Sequence, residues 1–180
     1  MSFVLRLGAG AAVIAVAMSG LPNIAIAQAV SPVPSVDLNR FAGSWYEIAR
    51  LPTKREKGCI SDVVDLVALA DKADRLQLVN SCKTKNDYTD VNNAGIKAEK
   101  NSGDAKLKIT YVWPFSDKVW ILALGDNYEW VLLGSPNHKL LRVLSRQRTM
   151  SPEVLVTIRQ KAASEGYAID KLILTPQTQR

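Results

Sequence analysis

Histidine is almost absent from this sequence: His138 is the single one among 180 residues, and cysteine occurs twice, as Cys59 and Cys82. Two thiols with no histidine near them in sequence are too few for a zinc site. His138 lies at a loop–strand edge with no fixed serine or cysteine partner, and it reads as a surface residue. Glycine-rich phosphate loops, His-x-x-x-His pairs and nucleophile elbows are also missing, so no catalytic residue, cofactor or metal is expected. Basic residues exceed acidic ones, 23 to 17. They are scattered along the chain (Lys54, Lys83, Lys106, Lys139, Arg159) rather than gathered into the dense stripe of a nucleic-acid-binding surface.

A long apolar run is missing too. Leu7 to Met18 is interrupted by Gly8 and Gly10 and closed by Ser19-Gly20-Leu21-Pro22, whereas a membrane-spanning helix needs roughly 20 apolar residues. Arg6 before this run and the small-x-small triplet Ala25-Ile26-Ala27 after it match a cleaved secretory signal over residues 1–27. An uncleaved N-terminal anchor is the alternative. No cysteine precedes Cys59, so no lipoprotein acceptor is expected. The mature protein would be soluble, periplasmic or secreted, and would carry 22 basic and 17 acidic side chains on 153 residues, the size of one domain. In an oxidising compartment an even pair of cysteines suggests one disulfide, Cys59–Cys82.

What the sequence does contain is a series of short strand-like segments. Residues 28–36 form a proline-bearing lead-in expected to be mobile. Strands are expected at Ser44–Leu51, Ile60–Ala70, Arg75–Cys82, Ala94–Lys100, Ala105–Trp113, Lys118–Leu124, Tyr128–Gly134 and His138–Arg146, each bounded by turn residues such as Asn92-Asn93 and Gly125-Asp126-Asn127. Alternation is clearest where Lys106, Lys108 and Thr110 interleave with Leu107, Ile109 and Tyr111. The sixth and seventh segments are apolar on nearly every residue, so something should cover their outer face. Ser151 as N-cap, Pro152 at the first position, the stripe Val154, Leu155, Ile158, Ala162 and the stop at Gly166 predict a covering helix. A short strand over Lys171–Thr175 follows. The expected fold is all-β: an eight-stranded antiparallel up-and-down barrel with one C-terminal α-helix packed outside.

The segment Phe41-Ala42-Gly43-Ser44-Trp45-Tyr46-Glu47-Ile48-Ala49-Arg50 resembles the first strand of lipocalins, whose signature is Gly-x-Trp; the longer form is similar to bacterial outer-membrane lipocalins and apolipoprotein D. Gly125-Asp126-Asn127-Tyr128 resembles the family's turn before the seventh strand, and Leu144-Ser145-Arg146 its arginine motif closing the eighth. Avidin-like barrels also open on Gly-x-Trp but lack the arginine motif and the helix after it. The resemblance spans about residues 37–175, within a domain drawn at 37–176 and a tail at 177–180. It implies that Gly43, Trp45, Tyr128 and Arg146 gather at a closed end, and that Cys59 and Cys82 pair at the open one.

The resemblance further implies a non-catalytic carrier of a small hydrophobic or amphiphilic ligand, such as a fatty acid or lysophospholipid. Alternation assigns the lining to Leu76, Leu78, Tyr111, Trp113, Trp130, Leu132, Leu141 and Val143. Open-end loops at Pro52–Cys59, Lys83–Asn92, Pro114–Asp117 and Ser135–Asn137 carry Lys54, Arg55, Lys57, Lys83 and Lys85 against Glu56, Asp87, Asp90 and Asp117. These charges form either a basic mouth suited to an acidic headgroup or ordinary solvated loops. Glu47 shares Trp45's inward face if the strand alternates regularly, where a carboxylate needs a partner or a proton; a bulge would turn it outward. The competing reading is an envelope protein-interaction or stress module with a filled barrel. The expected partner is a small lipophilic ligand and not a nucleic acid; contact with a membrane surface and a monomeric or homodimeric state are compatible with it.

Overall fold

The computed structural model describes residues 29–178, so the secretory signal expected at 1–27 lies outside the described residues. The chain enters through a short helix α1 (Leu38–Phe41), capped by the Asp37 carboxylate, which accepts from the amides of Asn39 and Arg40. Eight antiparallel strands follow: β1 (Gly43–Arg50), β2 (Cys59–Leu69), β3 (Arg75–Thr84), β4 (Thr89–Ala98), β5 (Lys106–Val112), β6 (Phe115–Leu124), β7 (Trp130–Gly134) and β8 (Leu141–Ser145). Helix α2 (Pro152–Ser164), a 3-10 turn at Ile169–Lys171 and a two-residue strand β9 (Ile173–Leu174) complete the order. From β1 to β8 each strand pairs with the next. β1 pairs with β2 through Gly43–Tyr46 and with β8 through Tyr46–Arg50, which closes the sheet into a barrel.

The strand limits differ from the sequence expectation mainly where a turn residue takes a positive φ. β4 begins at Thr89 rather than Ala94, because the hairpin turns at Asp87 (φ 60) and Asn92 and Asn93 pair within the ladder. Tyr128 and His138, both at φ 60, belong to turns, so β7 and β8 start two and three residues later than expected. Ser151 accepts from the Val154 amide and Pro152 opens α2, as the sequence predicts. Ile158 and Ala162 are its buried pair, set against Ile48, Leu122, Leu132, Leu141 and Val143 on the outside of the barrel.

The closed end is organised around one guanidinium. Arg146 follows β8 and stacks 3.6 Å from the ring of Trp45. Its nitrogens donate to the carbonyls of Arg40 (2.6 Å), Ala42 (2.9 Å), Ser44 (2.8 Å) and Tyr128 (3.3 Å). Gly43 adopts φ +107, and a Cβ there would stand 3.0 Å from Arg146 Nη1; both conditions favour glycine. Trp45 donates its indole N–H to the Phe41 carbonyl at 2.8 Å. Residues 29–36, expected to be mobile, are instead tied down. Val33 donates to Ile121 O and Val36 to Gly103 O, and Val36 packs into the inner core with Phe41 and Trp45. The prolines keep this segment extended, and its valines supply apolar surface that barrel ends and α2 leave to be covered.

The tail beyond β9 is also used. β1 leaves β2 after Tyr46, and β9 pairs with Ala49 and Arg50. Gln177 donates to both Glu47 O and Val63 O, bridging the two separated strands, and Thr178 donates to the Asp62 carboxylate.

Arg146→Ala removes the stacking contact and leaves several carbonyls at the closed end without a donor. We expect a loss of about 2–4 kcal/mol in unfolding free energy, read from the urea midpoint. A change within about 0.5 kcal/mol would show that the closed end does not depend on this side chain.

Candidate functional site

Inward-facing side chains of β2 to β8 leave a cavity of about 800 Å³ open at the end opposite Arg146. Its base and most of its sides are apolar: Phe41 and Trp45 below, then Val67, Leu78, Ile96, Leu107, Ile109, Val119, Leu133 and Leu144, with Asp65 and Arg142 on the remaining wall. Its rim comes from three open-end segments, with Thr53, Lys54, Arg55 and Glu56 after β1, Ser116 to Lys118 of β6, and Ser135, Pro136, Asn137, Lys139 and Leu140 after β7. Lys54, Arg55, Lys118 and Lys139 are the rim cations.

Of the residues assigned to the lining from sequence, Leu78 and Tyr111 face this cavity. Leu76 is inward but buried in the core toward the closed end. Four others need correction. Trp130, Leu132, Leu141 and Val143 belong to the outer cluster beneath α2, and the inward residues of β7 and β8 are Val131, Leu133, Arg142 and Leu144. Both faces of these strands are apolar because α2 covers the outside, so alternation cannot tell which parity points in. Trp113 is corrected as well: β5 ends at Val112, and Trp113 stands past the rim, 86% exposed.

One wall of the cavity carries charge. A bulge between Glu47 and Ala49 changes the parity of β1, so Glu47 and Arg50 both point inward while Ile48 packs outside. Arg50 Nη1 contacts Glu47 Oε1 at 2.5 Å and donates to Thr175 Oγ1 at 2.9 Å; Thr175 in turn donates to Glu47 at 2.6 Å. Arg142 supplies the partner that Glu47 needs. Its Nε lies 2.6 Å from Glu47 Oε2, and its two terminal nitrogens hold the Asp65 carboxylate at 2.6 and 3.2 Å. Asn80 also donates to Asp65, at 2.6 Å. Glu56 lies 3.4 Å from Arg142 and 3.6 Å from Arg50. The sequence signal for this cluster was a lone arginine in the apolar stretch Leu140–Leu144 and an aspartate in Val63–Val67. Neither matches a motif, and only closure of the barrel sets them face to face.

Burial works against charge on Glu47, yet Arg142, Arg50 and the Thr175 hydroxyl overcome it and hold the carboxyl below its ordinary value of 4.5. For Glu56 burial wins. With repulsion from Glu47 added, it outweighs the pull of Arg142 and Arg50 and raises the carboxyl. Burial also disfavours the Arg142 charge, but Asp65, Glu47 and Glu56 more than compensate and keep it protonated.

The mouth has a cross-strap. Arg55, from the loop after β1, stacks 4.0 Å over the Tyr111 ring of β5 and donates to Asp117 of β6 at 3.1 Å. β5 and β6 lie across the barrel from β1 in the strand order. Both partners of the ion pair are about half exposed, so the pair is weak and suited to opening. At the same end Cys59 and Cys82 are joined as a disulfide, with Cα atoms 5.5 Å apart. His138 lies outside the barrel, its Nε2 2.9 Å from Glu165 O.

Comparison with known proteins places this architecture among related chains. The family profile described as "Lipocalin-like domain" matches residues 36–177. Temperature-induced lipocalin-1 of Arabidopsis thaliana is 30% identical over 154 residues, covering 81% of this chain and 82% of its own. Outer membrane lipoprotein Blc of Escherichia coli K12 is 30% identical over 150 residues, covering 82% and 83%. Among solved structures, insecticyanin from the tobacco hornworm Manduca sexta superposes with a TM-score of 0.68 at 19% identity, over 83% of this chain and 85% of that one.

Replacing Glu47 by glutamine strands two buried arginines beside the cavity, and a loss of about 3 kcal/mol at neutral pH is expected. The stabilisation from a lowered carboxyl is present above 4.5 and is lost as pH falls below it. The gap between wild type and Glu47→Gln therefore narrows below 4.5, as read from thermal midpoints across pH. A gap that stays constant there would contradict the assignment. Arg55→Ala should speed both entry and exit of a small hydrophobic fluorescent probe several-fold in stopped flow. Stability should stay within about 0.5 kcal/mol of wild type.

Proposed function

The chain belongs to the lipocalin family, and on that premise we propose that its barrel is an exported carrier for a small amphiphile with an acidic headgroup. A fatty acid or a lysophospholipid has the required shape. The observation that carries this reading is the cavity's division into an apolar base, floored by Trp45 and Phe41, and a rim with four cations, Lys54, Arg55, Lys118 and Lys139. Burying about ten methylenes contributes about 8 kcal/mol gross. The cost of ordering the chain leaves a dissociation constant from micromolar upward, appropriate to a cargo that must be released.

The site offers binding groups rather than reacting ones. Both cysteines are in the disulfide, His138 is outside, and the wall carboxylates Glu47 and Asp65 are engaged by guanidinium groups. Export is supported by the apolar run at residues 7–18 with its Ala25-Ile26-Ala27 triplet, and by a disulfide that needs an oxidising compartment. The destination we assign is the periplasm of a bacterium or the medium beyond it. The filled-barrel reading loses its motive, because the apolar outer faces of β6 and β7 lie beneath α2 and Tyr167.

Titration with a fluorescent fatty acid, together with native mass spectrometry of extracted cargo, tests the carrier. Ile109→Trp, which fills space in the cavity wall, should weaken binding at least about tenfold (about 1.4 kcal/mol) while the fold is retained by circular dichroism. Absence of displaceable binding by wild type into the high micromolar range would overturn the proposal.

A further inference from the structure

We propose that the open end of the barrel docks on an anionic lipid monolayer through the tip of the β5–β6 hairpin. The tip reads Val112-Trp113-Pro114-Phe115, where turns elsewhere in this chain use Asp71-Lys72-Ala73-Asp74 or Gly125-Asp126-Asn127. Val112, Trp113 and Phe115 are 67%, 86% and 78% exposed. Tyr88, at the neighbouring β3–β4 hairpin on the same end, is 72% exposed. Nothing in the fold requires apolar side chains there. A turn at a barrel rim is ordinarily built from small polar residues, and aromatic rings in water forfeit the burial that aromatics usually gain.

Charge selects the occupant. Lys54, Lys57, Lys85, Lys118 and Lys139 belong to the open-end segments, and among the described residues none of them forms an ion pair. On the acidic side Glu56 is buried, Asp117 is held by Arg55 and Asp87 by Lys83, leaving Asp90. Aromatic side chains ringed by lysines match a lipid surface: tryptophan favours the headgroup level, and each lysine near an anionic surface adds about a fivefold gain in partitioning. A second copy of the chain fits poorly. A stable dimer needs a face of about 800 Å² per partner, whereas a hairpin tip is narrow and its lysines would confront their own copies.

The same hairpin holds the strap across the mouth, since Tyr111 precedes the tip and Asp117 follows it. Lipid phosphates at the tip compete with Asp117 for Arg55, so the strap loosens where the mouth meets the monolayer. The docking surface stands on its own observations; only its purpose, loading an acyl cargo from the membrane, rests on the carrier reading.

Flotation with vesicles of mixed phosphatidylethanolamine and phosphatidylglycerol tests the surface, with phosphatidylcholine vesicles as the neutral comparison. Wild type should float with the anionic vesicles, less so in high salt, and poorly with the neutral ones. Lipids brominated in their acyl chains should quench part of its tryptophan emission. The Trp113→Ser/Phe115→Ser double variant should need at least about tenfold more lipid (about 1.4 kcal/mol), and Lys85→Glu should weaken binding at least about fivefold. Both should keep wild-type thermal midpoints and wild-type affinity for fluorescent fatty acid without vesicles. Wild type that stays in solution with anionic vesicles overturns the proposal, as does a double variant that floats equally well. Conversion of a wild-type dimer to a monomer in the double variant, with flotation unchanged, assigns the tip to self-association and also overturns it. Flotation intact but fatty-acid binding absent strikes the carrier reading and leaves the docking surface standing.

Discussion

A barrel wall is stable only if its first and last strands meet, and here that meeting is organised by the guanidinium of Arg146. One planar cation covers an indole face and also donates to carbonyls of the entering helix, of β1 and of the turn before β7. These backbone groups belong to three separate segments and are exposed or half-buried, so what the guanidinium supplies is a tie between segments rather than rescue of a buried carbonyl. Arginine suits the position because its several donors diverge in one plane. Lysine offers a single point of charge. With this end sealed, the opposite end is left free to be open.

Interior polarity follows from a second constraint, the bulge in β1. Regular alternation would have sent Arg50 outward; the extra residue at Ile48 turns it inward beside Glu47. Arg142, Asp65 and Glu56 complete a group of two cations and three carboxylates. Such a group contributes little net stability over apolar packing, yet breaking any member is expensive. Its consequence is asymmetry. One wall of the cavity is polar and rigid, while the others offer only van der Waals contact, so an amphiphile meets different chemistry on different sides. The C-terminal residues share in this wall through Thr175 and Gln177.

Much of the architecture was legible from local pattern. Strands interleaving lysine with leucine or isoleucine, the Ser151-Pro152 start of α2 and the three short motifs sufficed for the barrel and its sealed end. Errors arose where the pattern was silent. β7 and β8 are apolar on both faces, and the reading that sent Trp130 and Leu132 inward had no polar residue to correct it. The one informative residue, Arg142, is charged and inward, against the ordinary rule that charge faces water. Asn92 and Asn93 resemble a turn by composition, but a turn at Asp87 makes them part of the ladder.

The sequence by itself determined the class of fold, the order of its elements and the residues at the closed end, because each depends on neighbours within a few positions or on a motif; the pairing of its cysteines followed from there being only two. Only the tertiary structure decided which face of β7 and β8 lines the cavity, that Glu47 finds its counter-charge on β8, that Arg55 crosses the mouth, and that Trp113 lies outside it. Those facts depend on where bulges shift the pleat and on which strands closure brings opposite one another. Periodicity along a single strand does not encode either.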